Sequence, residues 1–240
     1  MYRLTDRNRT ITEMFSSIAP RYDFLNRVLS LGTDRRWRRE AVGWIKPETG
    51  GIHLDVATGT ADVALEIFRQ KGNGALVAGV DLSAGMMRIG RAKATRAGLA
   101  GKLTFVLAPG EELPFRDNAF DSASIAFGIR NVADRDRGLR EMCRVVKPGG
   151  RVVVLEFSQP ASSLFGVLYR LYFTRVLPRL GGLVSRRTAY SYLPDSVQEF
   201  PPPGEFAQRM RNAGCDPVTF RPLTRGIVTL YVGVKRQIPG

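Results

Sequence analysis

Residues 52 to 62, Ile-His-Leu-Asp-Val-Ala-Thr-Gly-Thr-Ala-Asp, constrain this chain more than any other stretch. An apolar run ends on Asp55, turns through Thr58-Gly59-Thr60 and opens into a helical pattern carried by Val63, Leu65, Ile67 and Phe68. A second apolar run, Ala75 to Val80, ends on Asp81, 22 residues after Gly59. This is the layout of a nucleotide-binding strand–loop–helix. Glycine lets the backbone approach the ligand, and an acid at the tip of the second strand accepts hydrogen bonds from ribose hydroxyls. The spacing is not G-x-G-x-x-G, because Ala61 stands where a second glycine would fall. A loop of the form D-x-x-x-G-T-x-D suits S-adenosylmethionine better than a dinucleotide, since that cofactor has no pyrophosphate to cradle. The alternative is an ordinary strand–turn–helix that binds nothing.

The rest of the chain supplies a setting for that loop. Met14, Phe15, Ile18, Leu25, Val28 and Leu29 recur at near-helical spacing, so residues 1 to 45 read as a helical cap ending near the basic block Arg35-Arg36-Trp37-Arg38-Arg39. From residue 52 the pattern alternates strand and helix. Helices are expected over 61–70, 84–97 and 134–146, with Ser83 as an N-cap and Gly98 as a stop. Strands are expected over 76–80, 103–107, 122–127 and 151–157, the last almost uninterruptedly apolar, as a strand covered on both faces should be. After an apolar, arginine-rich segment (162–184), a helix over 205–213 leads to two strands, 218–223 and 227–235, read as an antiparallel hairpin at the sheet edge. The expected fold is α/β, a doubly wound, seven-stranded, mostly parallel, Rossmann-like sheet in one domain spanning 1–240. Within it, 1–45 form the cap, 50–160 the cofactor-binding core, and 161–240 the substrate-side helices and hairpin. Ligands in such sheets bind beyond the carboxyl ends of the strands, so Asp55 to Thr60, Asp81, 108–112 and 126–131 should share one crevice.

Composition narrows the partners. Thirty-six basic and 22 acidic residues give a net charge of +14, a field that favours nucleic acid, anionic lipid or acidic substrates without choosing among them. Cys143 and Cys215 show neither C-x-x-C spacing nor a neighbouring histidine, so no metal site is expected, and a reducing cytoplasm is the expected location. The N-terminus lacks the apolar run of a signal peptide. The most apolar stretch, 164–184, is interrupted by Arg170, Arg175, Pro178 and Arg179, so no membrane span is expected. His53 falls inside the first strand and reads as a packing residue.

Three blocks resemble the UbiE/MenG-type quinone C-methyltransferases, which methylate the ring of demethylmenaquinol or a polyprenyl benzoquinol. The first is Met14-Phe15-Ser16-Ser17-Ile18-Ala19-Pro20-Arg21-Tyr22-Asp23-Phe24-Leu25-Asn26, continuing to Trp37. The second joins Glu112-Leu113-Pro114-Phe115 to Phe127-Gly128-Ile129-Arg130-Asn131-Val132, and the third runs from Arg144 through Pro148-Gly149-Gly150 to Ser158. The chain departs from the family at Ala61 for a glycine, Pro109 for an Asp or Asn near the adenine, Ala126 for a serine and Asp34 for a histidine.

The resemblance implies a donor, S-adenosylmethionine, and a prenylated quinol acceptor. Cofactor contacts carry over to Asp55, Gly59, Thr60, Asp81, Pro109, Gly110 and Ala126. Asp55 either meets the cofactor's ammonium or merely fixes the turn. Arg130 is expected to stabilise the phenolate, Asn131 to orient it and Asp23 to be one candidate acceptor of its proton; Tyr22 and Asn26 belong to a cap that closes over the substrate. Leu164 to Val176 would either line the isoprenoid tail, with Arg170, Arg175 and Arg179 on anionic headgroups at the inner face of the membrane, or pack as core against the sheet, since those arginines do not share one helical face. Two other readings stay open. One is methylation of a different lipophilic acceptor or of nucleic acid, although no RNA-binding module or aromatic–basic stacking motif accompanies the charge and no nucleic-acid partner is expected. The other is a non-catalytic relative with a degenerate cofactor loop.

Overall fold

The computed structural model describes residues 6–47, 49–159 and 194–237. Segment 162–184, with its expected tail-lining residues and Arg170, Arg175 and Arg179, lies outside the described residues.

Seven strands, β1 (Ile52–Val56), β2 (Leu76–Asp81), β3 (Leu103–Leu107), β4 (Phe120–Ala126), β5 (Val146–Phe157), β6 (Cys215–Leu223) and β7 (Val228–Lys235), form one sheet in the order β3-β2-β1-β4-β5-β7-β6. The β1–β2, β1–β4, β2–β3 and β4–β5 pairs are parallel; β7 runs antiparallel between β5 and β6. The expected hairpin is therefore present, but only β6 is the edge. Strand order reverses at β1, between β2 and β4, which puts the crevice of a doubly wound sheet at the tips of β1 and β4. Helices α2 (Thr33–Gly43), α3 (Asp62–Lys71), α4 (Ala84–Arg96), α5 (Arg135–Val145) and α6 (Pro203–Asn212) belong to the sheet layers, while α1 (Asp6–Leu29) lies across α4. The second helix of the expected cap instead packs Trp37, Ala41 and Val42 into the core beside α3.

Several boundaries shift by a few residues, and two departures have a physical reason. Strand β5 begins at Val146 rather than Arg151, because Val146 pairs with Phe120 before the register shifts around the Pro-Gly-Gly stretch. Helix α1 continues through Pro20, which is exposed, so the predicted apolar stripe is only partly a core stripe. Ile18 and Leu25 are buried, but Val28 faces solvent together with Phe24 and Leu31. The caps read from sequence hold: the Ser83 hydroxyl accepts from Met86 N, and Gly98 takes a left-handed conformation at the end of α4. Apolar side chains on the two faces of the sheet make two cores, one around Ile125, Ile129, Leu139 and Phe206, the other around Ile67, Phe68, Val153 and Leu230. His53 is buried as expected, its ring nitrogens bonded to Ser122 Oγ and the Gly50 carbonyl.

Candidate active site

The turn after β1 is set by side chains beneath it. Asp55 is buried and accepts from Thr58 Oγ1 at 2.8 Å and Ser124 Oγ at 3.0 Å. Burial pushes its carboxyl up to about 7 despite those two donors. Of the two expected roles for Asp55, the structure shows the turn-fixing one. Gly59 follows with φ +55, and Ala57 and Ala61 share that left-handed region, which in an L-residue costs roughly 1–2 kcal/mol. Ala61 is buried against α4, beneath the loop and away from the cleft.

Gly59 N donates to Asp81 Oδ2 at 2.8 Å and Ser83 N to Asp81 Oδ1 at 2.7 Å. With Leu82 N as a third backbone donor, the carboxylate as a whole still keeps capacity to accept a further hydrogen bond. Burial raises the Asp81 carboxyl, and the backbone donors oppose that shift. On the other side of the switch point, Phe127 is also left-handed (φ +57). A Cβ on the next residue, Gly128, would lie 2.5 Å from that of Ala57, so the tips of β1 and β4 meet only because Gly128 has none.

Between these tips and α1 lies a half-open cleft of about 740 Å³, solvent-filled mouth included. Gly59, Asp81, Gly110, Ala126 and Asn131 line it, as predicted for residues of one crevice. Ile11, Phe15 and Tyr22 of α1 form a roof, with Phe15 and Tyr22 edge to face. Glu111, within the 108–112 stretch expected there but given no role of its own, also lines the cleft. Its Oε1 accepts from Ala133 N at 2.8 Å and steadies the turn that carries Asn131. The signal was available as a second acid in Pro-Gly-Glu-Glu after β3.

Six expected site residues, Asp55, Pro109, Thr60, Asp23, Arg130 and Asn26, do not line the cleft. Asp55 and Pro109 are buried behind the wall, and Thr60 donates its hydroxyl to Asp23 Oδ1 at 2.6 Å instead of facing the cleft. Asp23, the candidate proton acceptor, has its other oxygen 2.5 Å from Lys93 Nζ, so both oxygens are engaged away from the cleft wall. Arg130 stands behind Asn131, buried, with Nη1 2.7 Å from Glu156 Oε1 and 2.7 Å from the Phe127 carbonyl oxygen. Its Nε is buried without a hydrogen-bond partner. Glu156, fully buried in β5, also accepts from Arg130 N and Phe157 N.

Tyr22 reports the field in the cleft. Burial pushes its hydroxyl up, while a bond to Asn26 and the charges of Arg38 and Arg130 pull it down. Arg38, another residue the sequence reading missed, comes from α2 and pairs with Asp34 at 2.6 Å and Asp62 at 3.4 Å. Its guanidinium lies 6.0 Å from the centre of the Phe127 ring, which packs against Phe157 at 4.7 Å.

The arrangement fits a nucleoside-bearing methyl donor: glycine backbone on two walls and a half-buried carboxylate with spare acceptor capacity. The sequence pattern of the ubiE/COQ5 methyltransferase family matches residues 3–235. The chain belongs to that family. It is accordingly a methyltransferase, and membership of the family implies S-adenosylmethionine as its methyl donor. Among similar proteins is the ubiquinone/menaquinone biosynthesis C-methyltransferase UbiE of Geobacter sulfurreducens, 57% identical over 98% of this chain and 92% of its own length. The demethylmenaquinone methyltransferase of Deinococcus radiodurans is 48% identical over 96% of this chain and 95% of its own. Among solved structures, a possible histamine N-methyltransferase from Thermotoga maritima has a TM-score of 0.67 at 20% identity, covering 94% of this chain and 100% of its own. The [4+2]-cyclase SpnF has a TM-score of 0.71 at 16% identity, covering 98% of each. At such identities these structures bear out the expected α/β sheet and nothing about chemistry.

Proposed function

We propose that this enzyme methylates a ring carbon of a prenylated quinol, with demethylmenaquinol as the preferred acceptor. One observation carries the reading: a cleft whose floor is polar and glycine-walled (Gly59, Asp81, Gly110) and whose roof is apolar and aromatic (Ile11, Phe15, Tyr22), within the field of Arg38 and Arg130. The names of the Geobacter and Deinococcus relatives support a quinone acceptor, and the latter supports the naphthoquinol ring.

When bound, S-adenosylmethionine supplies an electrophilic methyl group. Asp81 would hold its ribose, Gly59 and Gly110 would bring backbone close to it, and Ala126 would leave space beside β4. The acceptor carbon becomes nucleophilic when the neighbouring hydroxyl ionises, which a free phenol does near pH ~10. Arg130, held behind the cleft wall by Glu156, favours that ionisation through its charge rather than by contact. Asn131 orients the oxygen from the cleft wall, and Tyr22, held by Asn26, closes the roof and excludes water. Because both Asp23 oxygens are engaged, the phenolic proton passes to water.

No helix among the described residues is long and apolar enough to cross a membrane. The net charge of +14 and the exposed Phe24, Val28 and Leu31 support a cytoplasmic enzyme resting on the anionic inner face, where a prenylated substrate resides.

The test is incubation with methyl-labelled S-adenosylmethionine and each quinol in detergent. Label on a ring carbon of the naphthoquinol is expected. Donor binding with no labelled quinol would overturn the reading.

A further inference from the structure

Lys93 stands outside the cleft, yet it joins the elements that make the roof to those that make the floor. It lies on α4, the helix whose N-terminal residues Ser83 and Met86 line the cleft. Its ammonium sits 2.5 Å from Asp23 Oδ2 on α1 and 2.6 Å from Asp62 Oδ1 at the start of α3, directly after the cofactor loop. Asp23 in turn receives the Thr60 hydroxyl from that loop at 2.6 Å, and Asp62 is 3.4 Å from Arg38 of α2. One cation therefore bridges two carboxylates that would otherwise repel, one on the roof and one beside the floor.

The side chains of Lys93, Asp23 and Asp62 are 19%, 23% and 26% exposed. They are shielded enough for Coulomb attraction to exceed that of a surface pair, yet still near enough to water to break and reform without a buried-charge penalty. Tyr22 adjoins Asp23 in sequence, and Phe15 lies two turns earlier on the same helix. Whatever holds Asp23 thus sets where the roof's aromatic rings stand. A second tie, Ser16 Oγ to Ser83 Oγ at 2.8 Å, connects the same two helices at the other end of the roof.

We propose that Lys93 is a positioning residue, a latch that holds the α1 roof closed on the cofactor loop and couples donor binding to acceptor binding. The proposal rests on the cleft being the methyl-donor site. A donor resting on Gly59 and Asp81 and touching the roof binds the closed state better than the open one, so it shifts the same equilibrium that Lys93 biases. By linkage, loss of the latch must weaken the donor, and the donor must restore order to an unlatched roof. Lys93 touches no reacting atom in this scheme.

The experiment compares wild type, Lys93→Met and Lys93→Arg by calorimetry with S-adenosylmethionine, by hydrogen exchange of residues 11–23, and by steady-state kinetics with the quinol. Lys93→Met should speed exchange in α1 at least about tenfold and weaken the donor about 5- to 20-fold, within the usual range of coupling between sites. Saturating donor should recover most of the α1 protection, exchange in β1 and β4 should be unchanged, and Lys93→Arg should stay within about threefold of wild type. A merely structural lysine would instead speed exchange everywhere and leave donor affinity unaltered below the melting point. Unchanged α1 exchange and donor affinity in Lys93→Met overturn the latch. Failure of the wild type itself to bind the donor overturns the reading of the cleft instead. Should Lys93→Met not fold, Asp23→Asn breaks the contact from the roof side. It must then show the same selective α1 exchange, and wild-type exchange would refute the latch.

Discussion

The floor of the cleft is held by backbone hydrogen bonds and buried carboxylates, whereas its roof is held by half-shielded charged side chains. In the floor, Asp81 is gripped by Gly59 N and Ser83 N, Asp55 by two hydroxyls, and Glu156 by Arg130 and Phe157 N. In the roof, α1 meets the sheet side through Asp23, Lys93 and the Ser16–Ser83 pair. The difference matches what each part must do. Alignment of a methyl group with its acceptor demands a floor that does not move, and an apolar substrate needs a roof that opens and then keeps water out.

That contrast can be broken at the floor first. Glu156→Ala should strand a buried guanidinium and lower stability by about 3–5 kcal/mol, measurable by urea unfolding. A loss no larger than that of a surface substitution would mean the Arg130–Glu156 pair is not buried as described. Arg130→Ala should reduce turnover on the order of 10²- to 10³-fold while changing donor affinity less than about threefold. Kinetics beside calorimetry separates the two, and parallel losses would make Arg130 a structural residue only.

A third probe uses pH. Because the folded Asp55 carboxyl is raised to about 7 from 3.8, its contribution is fully present below pH 4, declines as pH rises to about 7, and is level above that. Each tenfold difference in proton affinity between the folded and unfolded chain is worth about 1.4 kcal/mol. From pH 4.5 to 8, wild type should therefore lose roughly 3 kcal/mol of stability relative to Asp55→Asn. A constant difference between the two proteins across that range would show Asp55 to be ionised throughout. The smallest effect belongs to the roof. Asp23→Asn should lower global stability by only about 1 kcal/mol, with sensitivity to salt that the floor substitutions lack. A salt-independent loss of several kcal/mol would place α1 in the rigid part of the molecule and erase the distinction.

Much of the floor was readable in advance because it depends on local rules. Apolar runs ending in Asp55 and Asp81, the glycine between them and the Ser83 cap all lie within a few residues of what they organise. The exceptions are instructive. Thr60 was expected on the cofactor but serves Asp23, 37 residues away, and no local pattern reports so distant a partner. Glu156 left a trace, a lone acid in the apolar run of β5, but its meaning appeared only when Arg130 was found 26 residues upstream within bonding distance. Arg38 read as one more arginine in a basic block, and nothing distinguished Lys93 within the helix expected over 84–97.

Periodicity, turn residues and motif spacing are properties of neighbours along a chain, so the alternation of strands and helices, the position of the crevice and the family could all be read from residue order. Tertiary structure alone decided which charges pair. An ion pair forms between side chains whose separation in sequence is arbitrary, and its strength depends on how much water the surrounding fold removes. That is why Lys93 joins Asp23 to Asp62 and Glu156 claims Arg130 only in the folded protein.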